Sequence, residues 1–385
     1  MGTGIKLFEY NSVFRGDGYR VFFGSDKRFI TADDESFHLF FNEKDGTTAK
    51  WGRTLKEDPT HCPWGNEIAD IEITTACRGI RKLNADGTYG GRSVCKFCYK
   101  SNQPNGTYMS FDTFKKIFDV LNQPKTMTQI AFGVDAECET NPDTWKIFDY
   151  CRENGVTPNL TVADITQATA EKIVARCGAC AVSAYEANKH VCYDSVKLLI
   201  DESIRQGKKD FRVNIHALVS AETFHFLNEV IDDVKNDDRL KGLNAIVFLS
   251  LKQKGRGESF HKVTDDQFKE LVGRCFETGI GFGMDSCSAP KFLKAIKDRP
   301  DVESLTSLVE PCESLLNSIF INVKGEVFPC SFLEGDAEWG KGIDMLGIKN
   351  FSEEVWNGAL ATEYRNKSIC RIKCDGFNSC RHYDV

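Results

Sequence analysis

The chain has 385 residues, with 41% apolar and 27% charged side chains and only 10 prolines, the make-up of a folded protein with a sizeable core. Composition excludes disorder, collagen and coiled coil, and the length suits about two to three domain-equivalents or one enlarged α/β unit with appendages. A net charge of −7 gives no overall footprint for a polyanion, so charge does not support nucleic-acid binding, although a local basic groove stays open.

The first residues, MGTGIKLFEY, have neither the basic start nor the apolar run of a signal peptide, and no apolar stretch reaches the roughly 18 residues of a membrane span. The expected setting is a reducing cytoplasm, in which the 16 cysteines are thiols or metal ligands. Residues 1–65 contain short alternating segments, YRVFFG, RFITA and SFHLFF, and read as a small β-rich lead-in. Over residues 66–285 six apolar runs (ADIEIT, QIAFGV, PNLTVA, CAVSAY, FRVNIHALV and NAIVFLSL) alternate with amphipathic stretches such as FDTFKKIFDVL. Six units of this kind predict a parallel sheet rolled into a partial (β/α)6 TIM-type barrel, with its chemistry at the carboxyl ends of the strands; an open doubly wound sheet is the alternative. Beyond Asp285 the rhythm stops. Residues 286–385 hold six of the 16 cysteines and are expected to form a small C-terminal cluster-binding domain.

Directly after the first of these strands comes TTACRGIRKLNADGTYGGRSVCKFCYK, which sets Cys77, Cys95 and Cys98 on the loop at its carboxyl end. Cys95 and Cys98 have the two-residue separation at which neighbouring thiolates hold one metal centre. The turn residues of NADGTYGG predict a hairpin that loops out and brings the chain back. Three thiolates suit a cubane iron–sulfur cluster with one open iron, whereas a structural zinc needs four ligands, for which Cys62 or His61 would complete a knuckle. In the tail segment EPCESLLNSIFINVKGEVFPCSF a second hairpin, turning at Gly325, brings Cys312 and Cys330 together. Cys370, Cys374 and Cys380 follow. Cys138, Cys151, Cys177, Cys180, Cys192 and Cys275 lie mostly in periodic apolar segments and read as core packing.

The cysteine triplet, with Phe97 just before its last member, resembles the signature loop of the radical S-adenosylmethionine (SAM) superfamily. That loop usually has three and then two residues between its cysteines; here there are seventeen and then two. The tail resembles the auxiliary-cluster domains called SPASM or twitch, with one cysteine fewer than the full run. The resemblance implies an enzyme that binds SAM at a [4Fe-4S] cluster held by Cys77, Cys95 and Cys98. It would cleave SAM reductively to a 5′-deoxyadenosyl radical that takes hydrogen from a substrate, commonly a peptide or protein in such relatives. A nucleoside, nucleotide or nucleic-acid base is the alternative substrate, and a non-enzymatic zinc-binding α/β protein is the alternative function.

The same resemblance implies that Phe97 packs near the adenine. Gly133 and Glu137 of FGVDAECETNPD, with Asp135 as a rival carboxylate, would receive the methionine amino group, although both carboxylates also suit a cap on the next helix. Ser183 in CAVSAYE and Asn214 in VNIHALV would sit at strand ends near the SAM carboxylate or ribose. An auxiliary [4Fe-4S] cluster would use Cys312, Cys330 and two of Cys370, Cys374 and Cys380, with Cys287 as a substitute ligand. An external electron donor such as flavodoxin or ferredoxin is also implied. Arg78, Arg81, Lys82 and Arg92 on the insertion favour an anionic nucleotide or form a solvated loop. Residues 1–65 are the candidate peptide-docking element.

Overall fold

A computed structural model of the protein describes residues 8–375, with side chains through Cys370. The described chain is a mixed α/β structure with a large, mostly parallel sheet and a separate antiparallel sheet at its amino-terminal side. The small sheet pairs β1 (Ser12–Gly16), β2 (Tyr19–Phe23), β3 (Lys27–Ala32), β4 (His38–Asn42) and β5 (Thr48–Trp51) in chain order. Strand alternation sorts its faces: Tyr19, Val21, Ile30, Leu39 and Phe41 enter a small core with Phe37 and Cys62. On the other face Phe22, Phe29 and Phe40 stand opposite one another across β2, β3 and β4.

The large sheet starts at β6 (Ile68–Glu72), and a hairpin of β7 (Ile80–Leu83) and β8 (Tyr89–Ser93) stands outside it. Then come α1 (Phe111–Leu121), β9 (Gln129–Gly133), α2 (Thr144–Glu153), β10 (Thr157–Val162), α3 (Gln167–Arg176) and β11 (Ala179–Ala184). The alternation continues with α4 (Lys189–Arg205), β12 (Arg212–Val219), α5 (Phe224–Asn236), β13 (Ala245–Ser250), α6 (Asp265–Thr278) and β14 (Phe282–Met284). The strands β6 and β9 to β14 lie side by side, each parallel to the last. After α7 (Ala289–Ile296) and α8 (Val302–Thr306), β15 (Ser318–Ile321) joins the other side of β6 in parallel. β16 (Glu326–Phe328) and β17 (Ile343–Asp344) extend the sheet antiparallel, and α9 (Ala359–Asp375) follows.

Local chemistry sets these boundaries. In α1 the Ser110 side chain accepts the Thr113 N–H, and the buried face, Phe114, Ile117, Phe118 and Leu121, follows helical spacing. In α6 Thr264 and Gln267 form a capping box, and Gly279 ends the helix in the left-handed region. No helix among the described residues is long and apolar enough to cross a membrane.

The six apolar runs are β6 and β9 to β13; β14, three residues long, is a further parallel strand too short to stand out as a run. The tail departs from its expected independence. β15 to β17 belong to the large sheet, and Ile319, Phe320, Phe328 and Trp356 share one core with Ile71, Phe132 and Phe248. The cause is visible in β15, SIFI, which is buried at all four positions and needs cover on both faces.

Side chains from eight strands, β6 and β9 to β15, face a single cavity of about 650 Å³ at the carboxyl ends of the parallel strands. Eight strands laid flat at ~4.8 Å spacing would span about 34 Å. The sheet therefore curls around the cavity, with β14 and β17 as its two ends.

The small sheet meets the opposite end. The buried Arg28 guanidinium donates to the carbonyls of Met127 and Gly155, each two residues before a parallel strand. The Tyr19 hydroxyl donates to Pro124 O at 2.7 Å, and Lys50 Nζ donates to Asn317 Oδ1, just before β15, at 2.8 Å. The small sheet thus closes the amino end of the large sheet.

Candidate active site

Cys77 lies on a stretch pinned from two sides. Thr74 Oγ1 accepts the Ala76 N–H at 3.0 Å, and the Cys77 N–H donates to Gln103 O at 2.9 Å. Two residues on, Gly79 turns the chain at φ +79°, and a Cβ there would fall 2.0 Å from Ser93 O. Only glycine allows that approach. The expected hairpin forms, pairing Ile80 with Ser93 and Arg81 with Arg92. The insertion therefore leaves the chain beside its starting point, and Cys95 follows two residues after Ser93. The Cys98 N–H then closes a turn onto Cys95 O at 3.4 Å.

All three thiols line the cavity, and the Gly79 N–H points at Cys77 Sγ at 3.3 Å. Burial raises the Cys77 thiol and pushes the Cys95 thiol up to about 12; the neighbouring cysteines add to both shifts, and Arg256 opposes that of Cys95. The thiols thus sense one another. Arg256, in the loop after β13, holds their turn: its Nε donates to Cys95 O at 2.8 Å, its Nη atoms reach Asn102 O at 3.1 and 3.2 Å, and its N–H donates to Cys98 O at 3.1 Å.

The insertion's arginines are stitched down. Arg92 donates to Gly79 O at 3.0 Å and pairs with Glu137 at 2.7 Å and with Asp164; Arg81 reaches Asp164 at 3.1 Å, and Arg78 pairs with Glu137. The Tyr89 hydroxyl bonds Asp194 on α4. Lys82 is exposed.

Of the residues proposed for SAM, Gly133 lines the cavity at the end of β9, where a Cβ would meet Glu72 Cα at 3.1 Å. Asp135 also lines it, but its carboxylate accepts the N–H groups of Glu137, Glu139 and Thr140 at 3.3, 3.1 and 3.0 Å. Glu137 is held by the insertion. Neither carboxylate caps α2, which starts after Asp143. Ser183 lines the cavity and bonds the Tyr185 side chain. Phe97 packs against Tyr185, with centroids 4.9 Å apart, and against Phe260 at 4.8 Å.

Asn214 needs correction. β12 is eight residues long, so Asn214 lies near its amino end, where it accepts from Asn244 Nδ2 at 2.9 Å; His216 and Leu218 of the same strand line the cavity instead. Burial lowers His216 to about 4, so its imidazole is neutral, with Nδ1 3.2 Å from Thr161 Oγ1.

In the tail, the hairpin turns at Gly325, φ +86°, as expected. Cys312, Cys330 and Cys287 all line the same cavity as the first three thiols. Tyr99, next to Cys98, joins the two groups: its hydroxyl lies 3.2 Å from Ser331 Oγ, and its ring is 4.3 Å from that of Phe332. Lys254 donates to Phe332 O and Glu334 O, both at 2.7 Å. Cys370 is exposed on α9 and lines a separate groove with Asn357 and Lys367, which corrects its expected position beside Cys312 and Cys330. Cys374 falls within α9, and Cys380 lies outside the described residues.

The zinc knuckle through Cys62 or His61 has no geometry to support it. Cys62 is fully buried in the small sheet's core, and its carbonyl accepts from Trp356 Nε1 at 2.8 Å, at the other end of the molecule. Among the described residues no three His, Cys, Asp or Glu side chains are grouped to hold a single metal ion. Sequence reasoning missed Arg256 and Lys254. The signal was available, since KQKGRGES directly follows a strand at the end where such folds place function.

No family model and no curated protein matches the chain. Among solved structures it is similar to BtrN in complex with AdoMet and 2-DOIA, at 12% identity and TM-score 0.40 over 82% of this chain and 93% of that one. BtrN in an open conformation gives 14% identity and TM-score 0.26, over 82% and 92%. The HpcH/HpaI aldolase from Desulfitobacterium hafniense DCB-2 gives 7% and 0.33, over 60% and 83%.

Proposed function

We propose that the chain is a radical SAM enzyme, with its reaction in the cavity at the carboxyl ends of a curled sheet read as a partial TIM-type barrel. One observation carries this reading: a hairpin between Cys77 and Cys95 returns the chain to the same cavity wall, so three thiols seventeen and two residues apart share one site. The donor set fits a cubane. Three thiols, an N–H directed at one sulfur and a guanidinium clamping the turn suit a negatively charged cluster. When bound, that cluster with SAM supplies the one-electron cleavage that releases a 5′-deoxyadenosyl radical.

The polypeptide orients and shields. Phe97, packed at a tilt against Tyr185 and T-shaped against Phe260, offers an aromatic ring to the adenine, and Ser183 a hydroxyl to the carboxylate or ribose. Gly133 leaves the end of β9 bare for the methionine end, with Asp135 beside it. Glu137 serves in this reading to hold the insertion through Arg92. Cys312 and Cys330, with Cys287 and the tail cysteines Cys374 and Cys380, are proposed to hold an auxiliary [4Fe-4S] cluster, and an external donor such as flavodoxin or ferredoxin to supply electrons. The small sheet at the far end lends no support to a peptide-docking role, and the paired arginines lend none to a nucleotide.

Anaerobic purification with iron and sulfide analysis tests this. About eight of each per chain are expected for two cubanes, and about four for the first alone. Zinc without iron overturns the reading.

A further inference from the structure

Among the described residues the charges around the cavity pair off until two remain. Lys100 lies 3.2 Å from Glu72 and also pairs with Glu334, while Lys252 pairs with Asp285. Arg256 is spent on backbone carbonyls, and Asp135 on backbone N–H groups. Asp70, on β6, and Glu313, ahead of β15, also line the cavity, and no side-chain hydrogen bond or ion pair holds either carboxyl among the described residues. Glu313 feels Lys50, but that ammonium already bonds Asn317 and Glu67.

A further polar group faces the same space. Ser318 on β15 is 7% exposed and lines the cavity, and its hydroxyl has no partner among the described residues. It shares a face of the sheet with Asp70 on the neighbouring strand, two positions off in register: Ser318 pairs with Ile68 and Phe320 with Asp70. Burial pushes the Asp70 carboxyl up to about 7, with Glu313 adding to the shift. Two carboxyls and a hydroxyl without partners leave hydrogen-bonding capacity facing a low-dielectric space, and a cation seated among them would draw the carboxyls into their charged form. An ammonium group carries three donors and no acceptor, and these three side chains present three acceptors.

We propose that Asp70, Glu313 and Ser318 receive the protonated amine of the substrate, which makes the substrate class a small molecule bearing an aliphatic primary amine. The inference rests on the radical reading only in calling that amine a substrate.

The test uses the full chain, anaerobic and cluster-loaded, titrated calorimetrically with 1,4-diaminobutane and, as the uncharged analogue, 1,4-butanediol. The diamine is expected to bind and the diol not. Asp70→Asn and Glu313→Gln are each expected to weaken the diamine roughly tenfold, through loss of a charge-assisted bond. Ser318→Ala is expected to weaken it roughly threefold. Circular dichroism identifies a variant that has not folded; should Asp70→Asn fail, Glu313→Gln and Ser318→Ala carry the comparison. Equal binding of the diol, or unchanged affinity in folded variants, overturns the site. Displacement of the diamine by SAM overturns the substrate assignment, because the pair would then hold the cofactor. Release of 5′-deoxyadenosine by the wild type separates the two readings. Release without diamine binding sinks the amine site and leaves the radical reading. Diamine binding without release sinks the radical reading, and with it the word substrate.

Discussion

The two ends of the large sheet follow opposite rules. At the amino ends, polar groups from the small sheet are used up on the chain itself, as with Arg28 on two backbone carbonyls, Tyr19 on Pro124 and Lys50 on Asn317. On the cavity side, Cys77, Cys95 and Cys98 stand past the carboxyl end of β6, while Asp70 in β6, Ser318 at the start of β15 and Glu313 ahead of it face the same cavity from deeper in the sheet. The closed end fixes geometry and the open end keeps bonding capacity in reserve, the division of labour expected of parallel strands curled around a core. Substitutions at one end should therefore change stability with little effect on the site, and at the other the reverse.

The sharpest break is expected at the open end. Cys98→Ala should halve iron per chain, from about eight to about four, with the urea midpoint nearly unchanged; full iron in that variant contradicts the ligand assignment. At the closed end Arg28→Met leaves two buried carbonyls without a donor. It should cost about 2–4 kcal/mol in urea unfolding while iron content holds.

Arg92→Gln tests how the insertion is held. Iron should be lost to a chelator about tenfold faster, and Arg92→Lys, which keeps one charged donor, should restore part of the difference. Glu67, also at the closed end, sets a pH signature. Burial raises its carboxyl to about 7 from the model-compound value of 4.5, so its contribution to stability is full below that lower value and lost as pH rises through about 7. Glu67→Gln should flatten urea stability across that window; an unchanged slope contradicts the assignment. The smallest effect belongs to Tyr99→Phe, which removes one hydroxyl contact with Ser331 and should cost about 1 kcal/mol.

Local patterns made part of this legible. Alternating runs identified six of the parallel strands, and the turn residues around Gly87 and Gly325 marked both hairpins that carry cysteines. Long-range pairings left no local mark. Nothing in SIFI says that it docks beside β6, and nothing around Arg28 says that its guanidinium reaches Met127 and Gly155. Asn214 was misplaced because strand length, not residue type, decides which positions reach the carboxyl end, and β12 runs on to Val219. Cys370 was misjudged because spacing to a neighbouring cysteine does not tell which way a helix presents it. Asp70 gave no signal, since an acid inside an apolar run looks like a lapse in the pattern until the cavity it faces is seen.

The central claim is that the three thiols around the insertion arm a cavity for radical chemistry. Its most direct measurement is 5′-deoxyadenosine release by the anaerobically reduced wild type supplied with SAM. The radical reading predicts release that disappears in Cys98→Ala. Absence of release from iron-replete wild type, or equal release from the variant, contradicts it.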